Sequence, residues 1–296
     1  MKWIIDDTEY VYTNHVRENK NLRISFDKLS RKIFGLSFEK WYQDGYWKDE
    51  YIPYVLIHRE NVVANVSINI IDSEVQGKQK QYIQIGTVMT DNDYRGKGLA
   101  GKLIEKVLYD WKDKCHMVYL YANDTVLDFY PRFGFKREKE YQYEKMIAST
   151  KSKKRKLNLD NDNDKKMLKI YYEKSNPFSM LPMKNNYGLL MFYCSSFMKD
   201  YIYYLEDLDA LVIAKSDKNT MTCYDIYCDK NKSMDEILSS TVDDNCKNVI
   251  FGFTPKDTRE CSVKILEEDD TTLFVLKDKE NIFNEHKVMF PLLSHA

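Results

Sequence analysis

The sequence predicts an α/β protein made of two units in one chain. Three observations carry that expectation. Strand-like, β-branched runs alternate with helically spaced apolar residues through position 145. A strongly charged stretch, 148–166, interrupts this pattern, and the alternation begins again at 167. The chain has 296 residues, 43% hydrophobic and 31% charged. That is enough for two cores and excludes disorder as the main state.

The first unit opens with Leu22, Phe26, Leu29 and Ile33 at helical spacing, so a helix is expected through Phe34. Phe38–Tyr42 continues as a short helix or an aromatic loop. Tyr54–His58 and Val62–Ile71 read as a hairpin turning at Arg59-Glu60-Asn61, and Tyr82–Thr90 reads as a further strand. A helix from Gly98 to Lys112 places Leu99, Leu103, Val107, Leu108 and Trp111 on one face. Met117–Ala122 is a short buried strand. Asp124 can cap a helix through Tyr130, and Gly134 can end it before a strand over Phe135–Glu144. The stretch Lys151–Lys156, followed by Asp160, Asp162 and Asp164, reads as a solvated linker whose opposite charges cancel. Beyond it, strands are expected at 210–214, 221–228, 249–253, 261–266 and 272–276, with a helix at 234–239.

Composition narrows the function classes. A net charge of −1 speaks against a nucleic-acid partner. No apolar run approaches the roughly 18 residues that span a bilayer, and Met1-Lys2-Trp3 does not open a signal peptide, so no membrane partner is expected. The six cysteines lack CxxC spacing and read as reduced thiols of a cytoplasmic protein. None of the five histidines stands at ligand spacing with Cys or acids, so no metal is expected.

Glycine is scarce, with ten in the chain. Five of those ten (Gly86, Gly96, Gly98, Gly101 and Gly134) lie between 86 and 134, and the densest stretch is Arg95-Gly96-Lys97-Gly98-Leu99-Ala100-Gly101-Lys102. It contains GxGxxG and nearly a P-loop. Both share one physical theme, backbone amides at a helix N-terminus that cradle phosphate. The P-loop fails because Leu103 stands where a hydroxyl must hold magnesium. The dinucleotide motif fails because Asp91–Arg95 separates the strand from the first glycine, and a hairpin precedes it. A third spelling remains, Arg-x-x-Gly-x-Ala from Arg95, Gly98 and Ala100. A second block follows, with Asn123, then Phe129-Tyr130-Pro131-Arg132-Phe133-Gly134-Phe135. Together these blocks resemble the GNAT superfamily of N-acetyltransferases, with looser agreement from 22 to 145.

The resemblance implies a GNAT fold, a mixed and mostly antiparallel sheet flanked by helices, over a catalytic domain at 1–147. A charged linker at 148–166 and a smaller, degenerate GNAT-like domain at 167–296 would follow, since the matching loop Asp229–Ser233 has no glycine. It implies acetyl-CoA as cofactor, held by Val88, Met89, Thr90, Arg95, Gly96, Lys97, Gly98, Leu99, Ala100, Gly101, Asn123 and Phe129. It makes Tyr130 the general acid, a role that suits a phenol of pKa about 10, and the Met89 N–H the donor at the thioester oxygen. Many relatives carry a glutamate base where this chain has Gln84, so the base is open among water, a carbonyl, Glu39, Asp44 and Asp91. Phe38, Trp41, Tyr42 and Trp47, interleaved with acids, are the candidate acceptor site, where ring faces and charge can hold an amine. The expected activity is acetyl transfer from acetyl-CoA to a small-molecule or peptide amine in a ternary complex, with a homodimer as the one assembly considered and the oligomeric state left open. The alternative is a non-catalytic acyl-CoA-binding regulatory protein.

Overall fold

The computed structural model describes residues 1–150 and 152–296, so Lys151 of the basic run lies outside the described residues. The first half runs β1 (Lys2–Ile5), β2 (Thr8–Thr13), α1 (Lys20–Phe34), α2 (Glu39–Gln43), β3 (Tyr51–His58), β4 (Asn61–Val75), β5 (Lys78–Thr90), α3 (Leu99–Trp111), β6 (Met117–Ala122), β7 (Phe135–Arg137) and β8 (Tyr141–Met146). The second half runs β9 (Lys154–Lys156), α4 (Asp162–Lys174), α5 (Tyr187–Cys194), β10 (Ile202–Leu205), β11 (Ala210–Asp217), β12 (Thr220–Tyr227), α6 (Met234–Thr241), β13 (Asn248–Phe251), β14 (Ser262–Ile265) and β15 (Thr272–Leu276).

Among the described residues the strands form two mixed, mostly antiparallel sheets flanked by helices. One has the order β1-β2-β3-β4-β5-β6-β15-β7 and the other β14-β8-β13-β12-β11-β10-β9. Each contains one parallel pair bridged by a crossover helix, β5 and β6 through α3 in the first, β12 and β13 through α6 in the second.

The sheets do not divide where the sequence suggested, at 147 and 167. The expected strand Phe135–Glu144 breaks into β7 and β8, which enter different sheets, and β15 returns from the second half to lie between β6 and β7. The cause is burial on both faces. Phe274 packs in the core of the first sheet, while Leu273 and Val275 face the core shared between the sheets. Such a run can sit only in a sheet interior. The stretch 148–166 is likewise part of the fold. Lys154–Lys156 form an edge strand on β10, where charged side chains are tolerated, and each cation has an acid: Asp243 at 2.6 Å, Asp164 at 2.8 Å and Asp200 at 2.6 Å.

Local chemistry explains the remaining differences. The helix expected from Asp124 to Tyr130 is two 3₁₀ turns, Asp124–Val126 and Tyr130–Phe133, the second carrying Pro131 in its first turn, where a missing N–H is tolerated. The β1–β2 hairpin turns at Asp6 and Asp7, both at positive φ. The halves join through buried contacts: the Trp41 indole N–H donates to the Gly188 carbonyl at 2.7 Å, and the Asn186 amide to the Ile70 carbonyl at 3.0 Å. No helix among the described residues is long and apolar enough to cross a membrane.

Candidate active site

The site begins where two neighbouring strands part. β5 pairs with β6 only from Tyr82–Met117 to Ile85–Leu120, after which Tyr121 and Ala122 keep only their β15 partners on the other edge of β6. On its other side β5 bulges against β4 between Asn65 and Ser67. The Asn65 amide holds the bulge by donating to the Thr87 carbonyl (2.6 Å) and the Ser67 hydroxyl (2.9 Å), with Thr87 at φ 45°. The parted strands leave a cleft of about 860 Å³.

The loop 95–98 leads from this cleft into α3. Gly98 caps the helix in the left-handed conformation (φ 74°), a backbone state that costs a residue with a β-carbon. No side chain caps α3 and no acid lies in its first turn. Its first amides therefore remain free at the positive end of the helix dipole. Arg95 lines the same wall and places its Nε 3.5 Å from the Thr90 carbonyl.

Tyr130 stands at the inner side of the cleft, 5% exposed, its ring packed edge-on against Phe129 and tilted on Phe274 of β15. Burial pushes its phenol up to about 12, so it keeps its proton at neutral pH. Asn123 lines the opposite wall. Its Oδ1 accepts from the Thr125 amide (3.2 Å) and hydroxyl (2.6 Å), which shapes the turn. Asp270 fixes that turn from the second half, accepting the Asp124 N–H at 2.7 Å.

A second cavity of about 380 Å³ adjoins the cleft, and the two share Leu36, Thr87, Tyr121, Thr271 and Ala296 as walls. The terminal segment is threaded between them. In the amide orientation that satisfies both ends, Gln84 donates to the Ser294 carbonyl (2.8 Å) and accepts from the Ala296 N–H (3.0 Å). His295 stacks on Tyr121 at 4.1 Å, and the Tyr121 hydroxyl lies 2.8 Å from its Nε2 and 3.1 Å from Glu140. Burial lowers the His295 pKa to about 4 and raises that of Glu140 to about 8, so both are largely neutral at pH 7.

Residues 14–137 match the family of Acetyltransferase (GNAT) domains. The chain carries a GNAT domain. No curated protein sequence matches it. By structure the chain is similar to an Enterococcus faecalis V583 protein described as a conserved protein of unknown function and probable N-acyltransferase. That match has 14% identity, covers 90% of this chain and 72% of the other, and has a TM-score of 0.61. It is similar to a GCN5-related N-acetyltransferase from Kribbella flavida (14%, 90% and 70%, 0.55) and to Eis1 from Mycobacterium abscessus (14%, 90% and 73%, 0.54). At such identities the likeness is one of fold, and at this coverage it takes in both sheets.

Within the GNAT domain the structure gathers most of the expected cofactor residues. Val88, Thr90, Arg95, Gly96, Gly98, Leu99, Ala100, Gly101, Asn123, Phe129 and Tyr130 all line the cleft. Two do not. The Met89 side chain turns away into the aromatic cluster under α1, as strand alternation requires, so only its backbone is on the cleft strand. Lys97 sits outside with its ammonium over the Tyr94 ring at 5.0 Å.

The expected acceptor residues divide evenly. Phe38 and Trp41 line the second cavity. Buried Asp27 holds Phe38 there by accepting its N–H at 2.6 Å. Tyr42 instead lies under the Arg23 guanidinium at 3.6 Å, and Trp47 is a core residue donating to the Tyr51 carbonyl at 3.1 Å. The acids considered as a base are engaged elsewhere: Glu39 with Arg23, Asp44 with Lys40, and Asp91 with Lys32. Sequence reasoning missed the contribution of the second half: Phe192 and Tyr193 of α5, Glu268, Thr271, His295 and Ala296. The sequence carries one trace of this, the apolar run Val288–Leu293, which the fold largely buries.

Proposed function

We propose that the protein transfers an acetyl group from acetyl-CoA to a primary amine by direct attack in a ternary complex. One observation carries this reading: the amide-lined loop and the buried Tyr130 line one cavity, aromatic side chains line a second, and the two adjoin across five shared wall residues. Holding both reactants there would replace a bimolecular encounter with an oriented one.

The residues fit acetyl-CoA. The first amides of α3 are uncapped, and β-carbons built at Gly96 or Gly98 would meet nothing within 4 Å, so the cradle is open to a phosphate. The amides from Gly96 to Gly101 would hold the pyrophosphate with Arg95 beside them. The β5 backbone from Val88 to Thr90, left without a β6 partner, would run beside the pantetheine arm, with Asn123 and Phe129 opposite. Acetyl-CoA, when bound, supplies an activated acyl thioester.

The chain's own groups then do three things. A main-chain N–H on the parted stretch of β5, between Val88 and Thr90, would serve as the oxyanion donor. Tyr130 Oη keeps its proton through burial and can donate it to the thiolate as the C–S bond breaks, the proton released by the attacking amine restoring the phenol. Gln84, which stands where many relatives carry a glutamate, clamps the terminal segment and so shapes the wall between the cavities.

Free-thiol release across a panel of amines tests the proposal. Turnover is expected with the wild type. Tyr130→Phe should lower kcat by about 100-fold with acetyl-CoA affinity retained. Tight acetyl-CoA binding without release on any amine would favour the regulatory alternative, and absence of binding would remove both readings.

A further inference from the structure

The second cavity has a chemistry of its own. Seven aromatic side chains line it, among them Phe38, Trp41 and Tyr51 from the GNAT domain and Phe192 and Tyr193 from α5. Phe38 stacks on Tyr51 at 5.4 Å and on Phe192 at 5.6 Å, which sets flat ring faces along the wall. Their polar atoms are committed elsewhere. The Trp41 N–H donates to the Gly188 carbonyl, the Tyr51 hydroxyl pairs with Thr87 at 2.9 Å, and the Tyr193 hydroxyl donates to the His295 carbonyl at 2.6 Å. What these residues leave for a ligand is carbon surface.

Two polar groups remain. Asn69, 1% exposed and lining the cavity, has an Nδ2 with no hydrogen-bond partner among the described residues. A buried donor left unpaired is costly, and a ligand acceptor would remove that cost. Glu268 is the one acidic side chain in the lining, it has no cation partner among the described residues, and no lysine or arginine lines the cavity. The cavity therefore matches one positive charge, one flat apolar body and one hydrogen-bond acceptor.

We infer that the acceptor is a small primary amine with a single cationic nitrogen and an aromatic body bearing a hydroxyl or carbonyl. Glu268 draws in the ammonium, the ring faces hold the body, and Asn69 reads the oxygen. A polyamine would leave charges unpaired against aromatic carbon, and a peptide chain would exceed a cavity of about 380 Å³. This inference rests on the acetyl-transfer reading, and the test separates the two.

Full-length protein is assayed for thiol release with tyramine, phenethylamine, spermidine and a lysine peptide, and binding of each amine is measured by calorimetry. Tyramine should exceed spermidine and the peptide by about tenfold or more in kcat/KM. Glu268→Gln should raise the KM for tyramine by about tenfold. Asn69→Ala should erase the preference for tyramine over phenethylamine, a readout that general destabilisation would not produce. Equal or better turnover of spermidine or the peptide overturns the inference and leaves the transferase standing. Tyramine binding that Glu268→Gln weakens, without turnover of any amine, upholds the ligand class and removes acetyl transfer. Absence of both binding and turnover of the ring amines overturns the inference.

Discussion

The two crossover units of this chain, β5-α3-β6 and β12-α6-β13, share a topology and differ at the helix start. In the first, Gly98 caps α3 in the left-handed conformation, no side chain touches the first amides, and the strands part beyond Ile85. In the second, the Ser233 hydroxyl accepts from the Glu236 amide, and Asp235 and Glu236 occupy the first turn. There too the strand pairing ends after four residues, at Cys223–Phe251, but the notch is filled: the Gly252 N–H donates to the Cys223 carbonyl at 2.7 Å, and the Leu292 N–H of the terminal segment donates to the Gly252 carbonyl at 2.8 Å. Just beyond, Asp225 fills the space, bonded by Asn176 (2.6 Å), Tyr227 (2.7 Å) and its neighbour's amide (3.0 Å). One unit keeps its donors free for an anion. The other satisfies them from within the protein. The same fold thus gives a binding site or a structural core according to whether the helix start is left open.

The largest break in this comparison should come from Gly98→Val. A β-branched residue does not adopt φ 74° without strain, so the loop must move and its amides lose their common direction. Acetyl-CoA affinity should fall by about 100-fold or more, a cost of about 2.7 kcal/mol, in a protein that remains folded. Unchanged affinity by calorimetry would remove the loop assignment. The second unit offers a stability test instead. Burial lifts the Asp225 carboxyl to about 6, against bonds from Tyr227 and Asn176 that lower it. The folded state then binds a proton that the unfolded chain has already released. Stability should therefore decline by roughly 2–3 kcal/mol between about pH 4 and pH 6 and level off above, as linkage requires. Asp225→Asn should flatten that decline in urea titrations at several pH values.

Much of the first unit was legible because its signals are local. Gly96, Gly98 and the Phe129–Phe135 block announce backbone conformations and a turn that few other residue choices permit. The hairpin at Arg59-Glu60 and the amphipathic spacing of α1 are equally short-range. What stayed hidden depends on contacts distant in sequence. Thr272–Leu276 reads as a buried strand in either sheet, and only the faces of Phe274, Leu273 and Val275 decide where it goes. Phe38, Trp41, Tyr42 and Trp47 are four aromatics within ten residues, any of which suits a pocket. Their division depends on the one-turn helix α2, which Asp27 orients by accepting the Phe38 and Glu39 amides. Asn69 and Glu268 carry no pattern at all. They become a pair only once α5 and the terminal segment close the cavity.

A smaller effect should follow from closing the first notch as the second is closed. A β-carbon on Gly86 would lie 2.7 Å from the Ala296 backbone oxygen, a contact that forces the terminal segment off the shared wall. Gly86→Ala should lower kcat/KM for the amine by about tenfold, since an ångström of misplacement in a site is felt at that level or more. Acetyl-CoA affinity should change much less, because the α3 loop is untouched. Equal losses in both would mean that the segment supports the cofactor cleft instead of the wall between the cavities.

The smallest effect is the one that most directly asks whether the two helix starts are different in kind. Ser233→Ala removes the hydroxyl that accepts the Glu236 amide and leaves the amides of α6 as free as those of α3. If an uncapped helix start were enough to make a phosphate site, the variant should gain affinity for acetyl-CoA or free phosphate. The geometry predicts otherwise. Asp235 and Glu236 still place negative charge in the first turn, and the notch between the neighbouring strands remains filled at Gly252, so an anion meets repulsion and finds no cleft. The expected outcome is a loss of about 1 kcal/mol in stability, the usual cost of removing a serine cap, with acetyl-CoA binding and turnover at wild-type values. A second, weak phosphate site detected by calorimetry in Ser233→Ala would show that capping alone separates the two units. Its absence assigns the difference to the whole arrangement of open strands, glycine cap and acid-free first turn.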